Sequence, residues 1–115
     1  MRGNSKSNLG DEKGAIDDYT QAIKLQPDYA KAYNGRGFAK YNLGDKKGAI
    51  EDYTQAIKLQ PNYAYPYNGR GFAKSKLGDK KGAIEDYTQA AKLFQNQGRN
   101  TDSQDSLKRV KELSK

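Results

Sequence analysis

Two runs, Gly35-Arg36-Gly37-Phe38 and Gly69-Arg70-Gly71-Phe72, set a cation two residues from an aromatic ring, and they stand 34 residues apart. Charge beside a π-face is recognition chemistry of the kind that basic nucleic-acid binders use. The glycines make no phosphate cradle, because Gly35-x-Gly37 lacks a third glycine, a preceding strand and a dinucleotide unit. Catalysis is not indicated either. With no cysteine and no histidine, disulfides, thiolate metal sites and the commonest neutral-pH proton shuttle are excluded. No Tyr, Lys or Asp is set by motif in a cleft beside a partner. No catalytic residue, no cofactor and no metal site is expected.

The elements that must position these residues repeat. The stretch Leu43 to Ala56 recurs at Leu77 to Ala90 and, altered, at Leu9 to Ala22, and the units 30–63 and 64–97 differ at only eight of 34 positions. A fixed period of this length marks a stacked helical array whose units bury their apolar faces against neighbours. With 115 residues, 34% apolar content and a mean hydropathy of -1.13, the core is lean. Its apolar residues are nonetheless phased: Ala49, Ile50, Tyr53, Ala56 and Ile57 step at helical spacing, as do Ala15, Ile16, Tyr19, Ala22 and Ile23. A thin, elongated core follows, and disorder does not.

Punctuation divides each unit into two helices. Gly44 can end a helix in the left-handed conformation, and Asp45 can cap the next. Pro61 and Pro27 cannot continue a helix, and Asn62 and Asp28 after them can cap the following one. The spacing predicts helices over about 30–43, 46–59, 64–77 and 80–95, with Pro66 tolerated in a first turn. Asn34-Gly35 and Asn68-Gly69 carry a local hairpin signal that the long period overrules. After Gln97 the pattern stops. Residues 101–113 read as a further helix, with Leu107, Val110 and Leu113 its apolar members, that caps the array and solvates its end.

The unit from Ala30 to Tyr63 resembles a tetratricopeptide repeat, on Tyr33, Gly37, Ala49, Tyr53, Ala56 and Pro61, and the next unit on Tyr67, Gly71, Ala83, Tyr87 and Ala90. The resemblance implies an all-α, right-handed α-helical solenoid of 34-residue helix-turn-helix units with a C-terminal capping helix. It divides the chain into an array over 1–97 (a truncated first repeat 1–29, then 30–63 and 64–97) and a cap over 98–115. Small Gly37 and Ala49 let paired helices approach, and Tyr53 fills the space between units. Departures are Arg36 and Arg70 where leucine is usual, Lys40 and Lys74 where an aromatic is common, and Gln95 in place of proline.

In that family the first helices line a concave face and hold a peptide. The positions that do so correspond here to Lys31, Asn34, Phe38, Tyr41 and Asn42, and to Tyr65, Asn68, Phe72, Ser75 and Lys76. Asparagine can bond a peptide backbone through donor and acceptor, and exposed aromatics offer apolar area. The stretches 1–10, 30–43 and 64–77 hold Arg2, Lys6, Lys31, Arg36, Lys40, Arg70, Lys74 and Lys76, and no Asp or Glu. A positive groove for an acidic protein or peptide ligand follows. Arg36 and Arg70 either snorkel their heads past buried stems or pair with Glu51, Asp52 or their equivalents on second helices. Gripping the carboxylate tail of heat-shock chaperones, as some members do, is disfavoured. Only Asn4 matches that constellation, Gly35, Tyr65 and Gly69 replace an Asn, a Lys and an Arg, and one Lys position precedes Met1.

The expected function is a non-catalytic protein-interaction module that works as a scaffold. One alternative is a structural or engineered repeat fragment that self-associates, since near-identical units also arise by recent duplication or design. Its route would be a homodimer that covers Ile16, Tyr19 and Ile23 beside the incomplete first repeat. A second is a basic helical repeat that binds nucleic acid, suggested by the net charge of +7 and disfavoured by the strict 34-residue period. No signal peptide or membrane span is read in the sequence, so a cytoplasmic setting is the default.

Overall fold

The computed structural model describes residues 8–115. Six helices follow one another: α1 (Asn8–Leu25), α2 (Ala30–Asn42), α3 (Lys46–Leu59), α4 (Ala64–Lys76), α5 (Lys80–Asn96) and α6 (Asn100–Leu113). No strand occurs among the described residues. Each helix packs on the next in the chain, and α2 also touches α4, so first helices form one layer of a helical-repeat solenoid. None of these helices is long and apolar enough to cross a membrane.

Two kinds of corner alternate. At the α2–α3 corner Gly44 has φ 95°. Its N–H donates to the Tyr41 carbonyl and that of Asp45 to the Lys40 carbonyl, both at 2.9 Å. The Asp45 carboxylate then accepts from the Gly48 N–H at 2.9 Å. Gly78 with Asp79 repeats the device between α4 and α5. The other corners turn through Pro27 and Pro61. There the expected caps are corrected, because Tyr29 and Tyr63 occupy the N-cap positions without a side-chain bond, and neither Asp28 nor Asn62 caps the helix that follows. A backbone bond from Tyr63 N to the Gln60 carbonyl, 3.1 Å, closes the loop instead.

Both ends depart from the repeat. With Gln95 in place of proline, α5 continues to Asn96 and stops at Gly98, φ 76°, in the same left-handed turn that ends α2 and α4. At the other end α1 runs straight through Gly10, the counterpart of Gly44. Arg2, Asn4 and Lys6, and most of the first helix expected over 1–10, lie outside the described residues.

Alanine and glycine dominate the core. Ala30, Ala39, Ala49, Ala56, Ala73, Ala83 and Ala90 are buried where helices cross, and Tyr53, Tyr87 and Phe94 supply the bulk between them. Small crossing residues bring the axes close, so each aromatic side chain is gripped from several sides. Phe94, where the preceding unit has Gln60, is fully buried against Ala64 and Ala90 and closes the core beneath α6. Its burial contributes about 2 kcal/mol.

Candidate functional site

An open cleft of about 250 Å³ lies along the first-helix layer. Helix α2 contributes Phe38, Tyr41 and Asn42 to it, and α4 contributes Asn68, Gly69 and Phe72. The floor is Tyr53 of α3 and Tyr87 of α5, and Arg109 of α6 forms the far wall. Repetition itself builds the site, since α2 and α4 carry equivalent residues such as Phe38 and Phe72 along one cleft where those helices touch, and the rings that meet across them are offset by one turn. Tyr41 and Phe72 meet with ring centroids 5.1 Å apart and planes tilted by 54°, an apolar platform spanning two units. Phe38 stands 61% exposed at the margin.

The cleft brings together five of the residues singled out from the sequence, Phe38, Tyr41, Asn42, Asn68 and Phe72. Ser75 and Lys76 line an adjoining hollow. Lys31, Asn34 and Tyr65 are elsewhere. Lys31 borders a separate pocket with Tyr19 and Tyr29. Asn34 lies against the Tyr63 hydroxyl, where its amide eases the upward pKa shift that burial imposes. Tyr65 packs edge-on against Phe94, and its hydroxyl accepts a 2.6 Å bond from Arg99 Nη2. Both asparagines of the cleft already have partners: Asn68 Oδ1 accepts from Ser106 Oγ at 2.9 Å, and Asn42 Nδ2 donates to Glu12 Oε2 at 3.0 Å. Among the described residues the Asn68 amide hydrogens and the Asn42 carbonyl have no hydrogen-bond partner.

The charge reading needs correction. Arg36 and Arg70 do not snorkel. Arg36 Nε and Nη2 donate to the two oxygens of Asp52, each at 2.8 Å, and Nη1 reaches Thr20 Oγ1 at 3.2 Å. Lys40 Nζ adds a contact of 3.2 Å to the same carboxylate. Arg70, Asp86, Thr54 and Lys74 repeat the arrangement one unit later. The Asp52 and Asp86 side chains are 6% exposed, and the hydrogen bonds to them raise the arginine pKa values despite burial. Four cations counted toward a positive groove are therefore turned inward onto two carboxylates, which offset half of their charge.

Tyr53, Gly69, Tyr87 and Arg109 complete the cleft and were not picked from the sequence. The signal for Arg109 was present. It stands 34 positions after Ser75 and 68 after Tyr41, so α6 continues the register as the first helix of a further unit. The tyrosine floor was read as core, which it also is. Burial, with Asp52 adding to it, pushes the Tyr53 hydroxyl up to about 12. Burial raises Tyr87 as well, partly offset by Arg109 beside it.

Comparison with known proteins agrees with the architecture. Residues 30–63 and 64–97 each match the profile of the tetratricopeptide repeat, and residues 3–44 match a second profile described as TPR repeat. No curated protein is similar enough in sequence to count as a relative. Among solved structures, the first TPR of Spaghetti (RPAP3) bound to the HSP90 peptide SRMEEVD is 26% identical, with a TM-score of 0.81 over 91% of this chain and 79% of that one. The Arabidopsis OM64 TPR domain is 28% identical, with a TM-score of 0.78 over 90% and 83%. The first TPR domain of human RPAP3 is 26% identical, with a TM-score of 0.79 over 90% and 80%.

Proposed function

The chain belongs to the tetratricopeptide repeat family, and from that premise we propose that it is a non-catalytic interaction module that holds an extended, acidic peptide segment in the cleft between α2, α4 and α6. The observation that carries this reading is the Tyr41–Phe72 platform, formed across two units and flanked by the free amide of Asn68. An apolar peptide side chain would rest on the rings, and the amide would meet the peptide backbone. The HSP90 peptide bound by the RPAP3 neighbour supports the peptide class of ligand. Gly35, Tyr65 and Gly69, in place of clamp residues, argue against the same chaperone tail. On this reading residues 1–29 are an incomplete repeat, 30–63 and 64–97 two full ones, and 98–115 the cap.

The test is an array of N-acetylated, C-amidated nonapeptides with Leu or Phe at the centre and Glu, Gln, Lys or Ala varied around it. Selective binding that Phe72→Ala removes, with unchanged helicity, supports the cleft. Uniform binding, or binding insensitive to Phe72→Ala, refutes it. Self-association keeps one observation in its favour: among the described residues α1 packs extensively on α2 only, whereas α3 packs on both α2 and α4. A monomeric mass at high concentration in sedimentation would dismiss it.

A further inference from the structure

Beyond the α6 end of the cleft a second hollow of about 190 Å³ opens, and it shares Phe72, Tyr87 and Arg109 with the first. Ser75 and Lys76 of α4 and Glu112 of α6 complete its polar lining. Lys76 Nζ stands 5.3 Å from the centroid of the Phe72 ring, and Arg109 Cζ stands 5.8 Å from the centroids of both Phe72 and Tyr87. The rings hold these two cations in place without neutralising them. Neither forms an ion pair among the described residues, in contrast to Arg36, Lys40, Arg70 and Lys74.

We propose that this hollow is a carboxylate subsite, in which an Asp or Glu side chain of the bound peptide sits between Lys76 and Arg109 while a neighbouring apolar residue rests on Tyr41 and Phe72. The inference rests on the cleft reading above. A side chain fits better than a chain end. The positions at which some family members grip a chain-end carboxylate hold Gly35, Tyr65 and Gly69 here, and in the hollow Ser75 Oγ is already engaged by the Phe72 carbonyl at 2.8 Å. Glu112 lies in the same hollow, so it competes for the cations and sets how much a ligand carboxylate gains. The helix first read as a cap then becomes the element that selects the ligand's charge.

The array supplies the probes: a binding nonapeptide containing Glu, its Gln twin, and a version of each with a free C-terminus, measured by fluorescence anisotropy at low salt. The Glu peptide should bind about five-fold tighter than its twin, the scale of exposed ion pairs. Lys76→Gln with Arg109→Gln should abolish that preference, so that the Glu peptide and its Gln twin bind the variant equally, Arg109→Lys should keep most of it, and Glu112→Gln should widen it. Circular dichroism checks that each variant is folded. Equal affinity of the twins, a preference that survives the double variant, or a preference set by the free C-terminus and not by Glu overturns the subsite and leaves the cleft standing. No selective binding at all, or binding insensitive to Phe72→Ala, overturns the cleft and the subsite with it.

Discussion

The Tyr53 ring occupies the seam between α2 and α4, where a Cβ placed on Gly69 would fall inside it. On the other side of the seam a Cβ on Gly37 would stand 3.1 Å from Tyr53 Cε1. Glycine inside a helix costs about 1 kcal/mol relative to alanine. Here it is what lets consecutive units stack on an aromatic ring.

Tyr53 is 4% exposed, held between α2 and α4. Gly69→Ala should therefore destabilise the fold by about 2 kcal/mol despite its helix propensity. At Gly35 the facing ring is Tyr19, which is half-buried and can swing outward, so Gly35→Ala should cost less than about 1 kcal/mol. Urea denaturation of the two variants checks the order, and equal losses would contradict it.

Asp52 serves Arg36 and Lys40 from the first helix of its own unit, and the Arg36 fork also ties Thr20 on α1. Removing the carboxylate leaves a cation buried without a partner, so Asp52→Ala should cost about 3 kcal/mol. Replacing both members, Arg36→Met with Asp52→Leu, should recover most of that loss, because a buried pair is often no better than an apolar one of equal volume. A double-mutant cycle by thermal denaturation measures the coupling, and additive losses would show that the pair is not the unit.

The hairpins from α2 to α5 were legible because the chain announces them at fixed offsets, Gly44-Asp45 and Gly78-Asp79 at one corner, Pro27 and Pro61 at the other. Register also marked residues that line the cleft, since Phe38 and Phe72 share one position of the repeat and Tyr41 lies one turn further on, on helices that lie side by side. Pairing between helices was less legible. Arg36 had several carboxylates in reach by sequence, and only the packed hairpin chooses Asp52 over Glu51. Arg109 was missed because α6 lost the repeat's letters while keeping its spacing. Lys31 differs in the opposite way: its first-turn position follows the register, yet it borders the α1 side and not the cleft.

That difference in placement can be measured. Lys31→Glu should leave the affinity of an array-selected acidic peptide within about two-fold, whereas Lys76→Glu, beside Phe72, should weaken it several-fold and reduce its salt dependence. Isothermal titration at two salt concentrations separates the cases. Equal sensitivity at both positions would extend the ligand across α1.

Alkaline pH should expose the cost of the tyrosine floor. The Tyr53 hydroxyl is raised to about 12 in the fold, against about 10 in the unfolded chain. Its stabilising contribution is thus complete below pH 10 and is lost as pH climbs through 12, because the unfolded chain gives up its proton first. Tyr53→Phe should flatten the fall in stability across that window by about 1.4 kcal/mol per pH unit, one proton's worth. Urea midpoints between pH 9 and 11.5 would reveal it. A parent and variant with parallel profiles would mean that the ring ionises freely.

Helix α6 inverts what its composition suggests, and stability can tell which face is docked. Ser103 and Ser106 are buried, with Ser103 Oγ donating to the Ala91 carbonyl at 2.9 Å and Ser106 Oγ to Asn68, whereas Leu107 is 49% exposed. Serine suits a face pressed against α4 and α5 at close range, since its hydroxyl is satisfied and its volume is small. Ser106→Leu would raise hydrophobicity but overfill the contact, and it should destabilise by about 2 kcal/mol. Leu107→Ser should change stability by less than about 0.5 kcal/mol. Thermal denaturation of the two variants decides between the faces. The opposite ranking would mean that α6 docks through Leu107, and the wall that carries Arg109 would then no longer face the cleft.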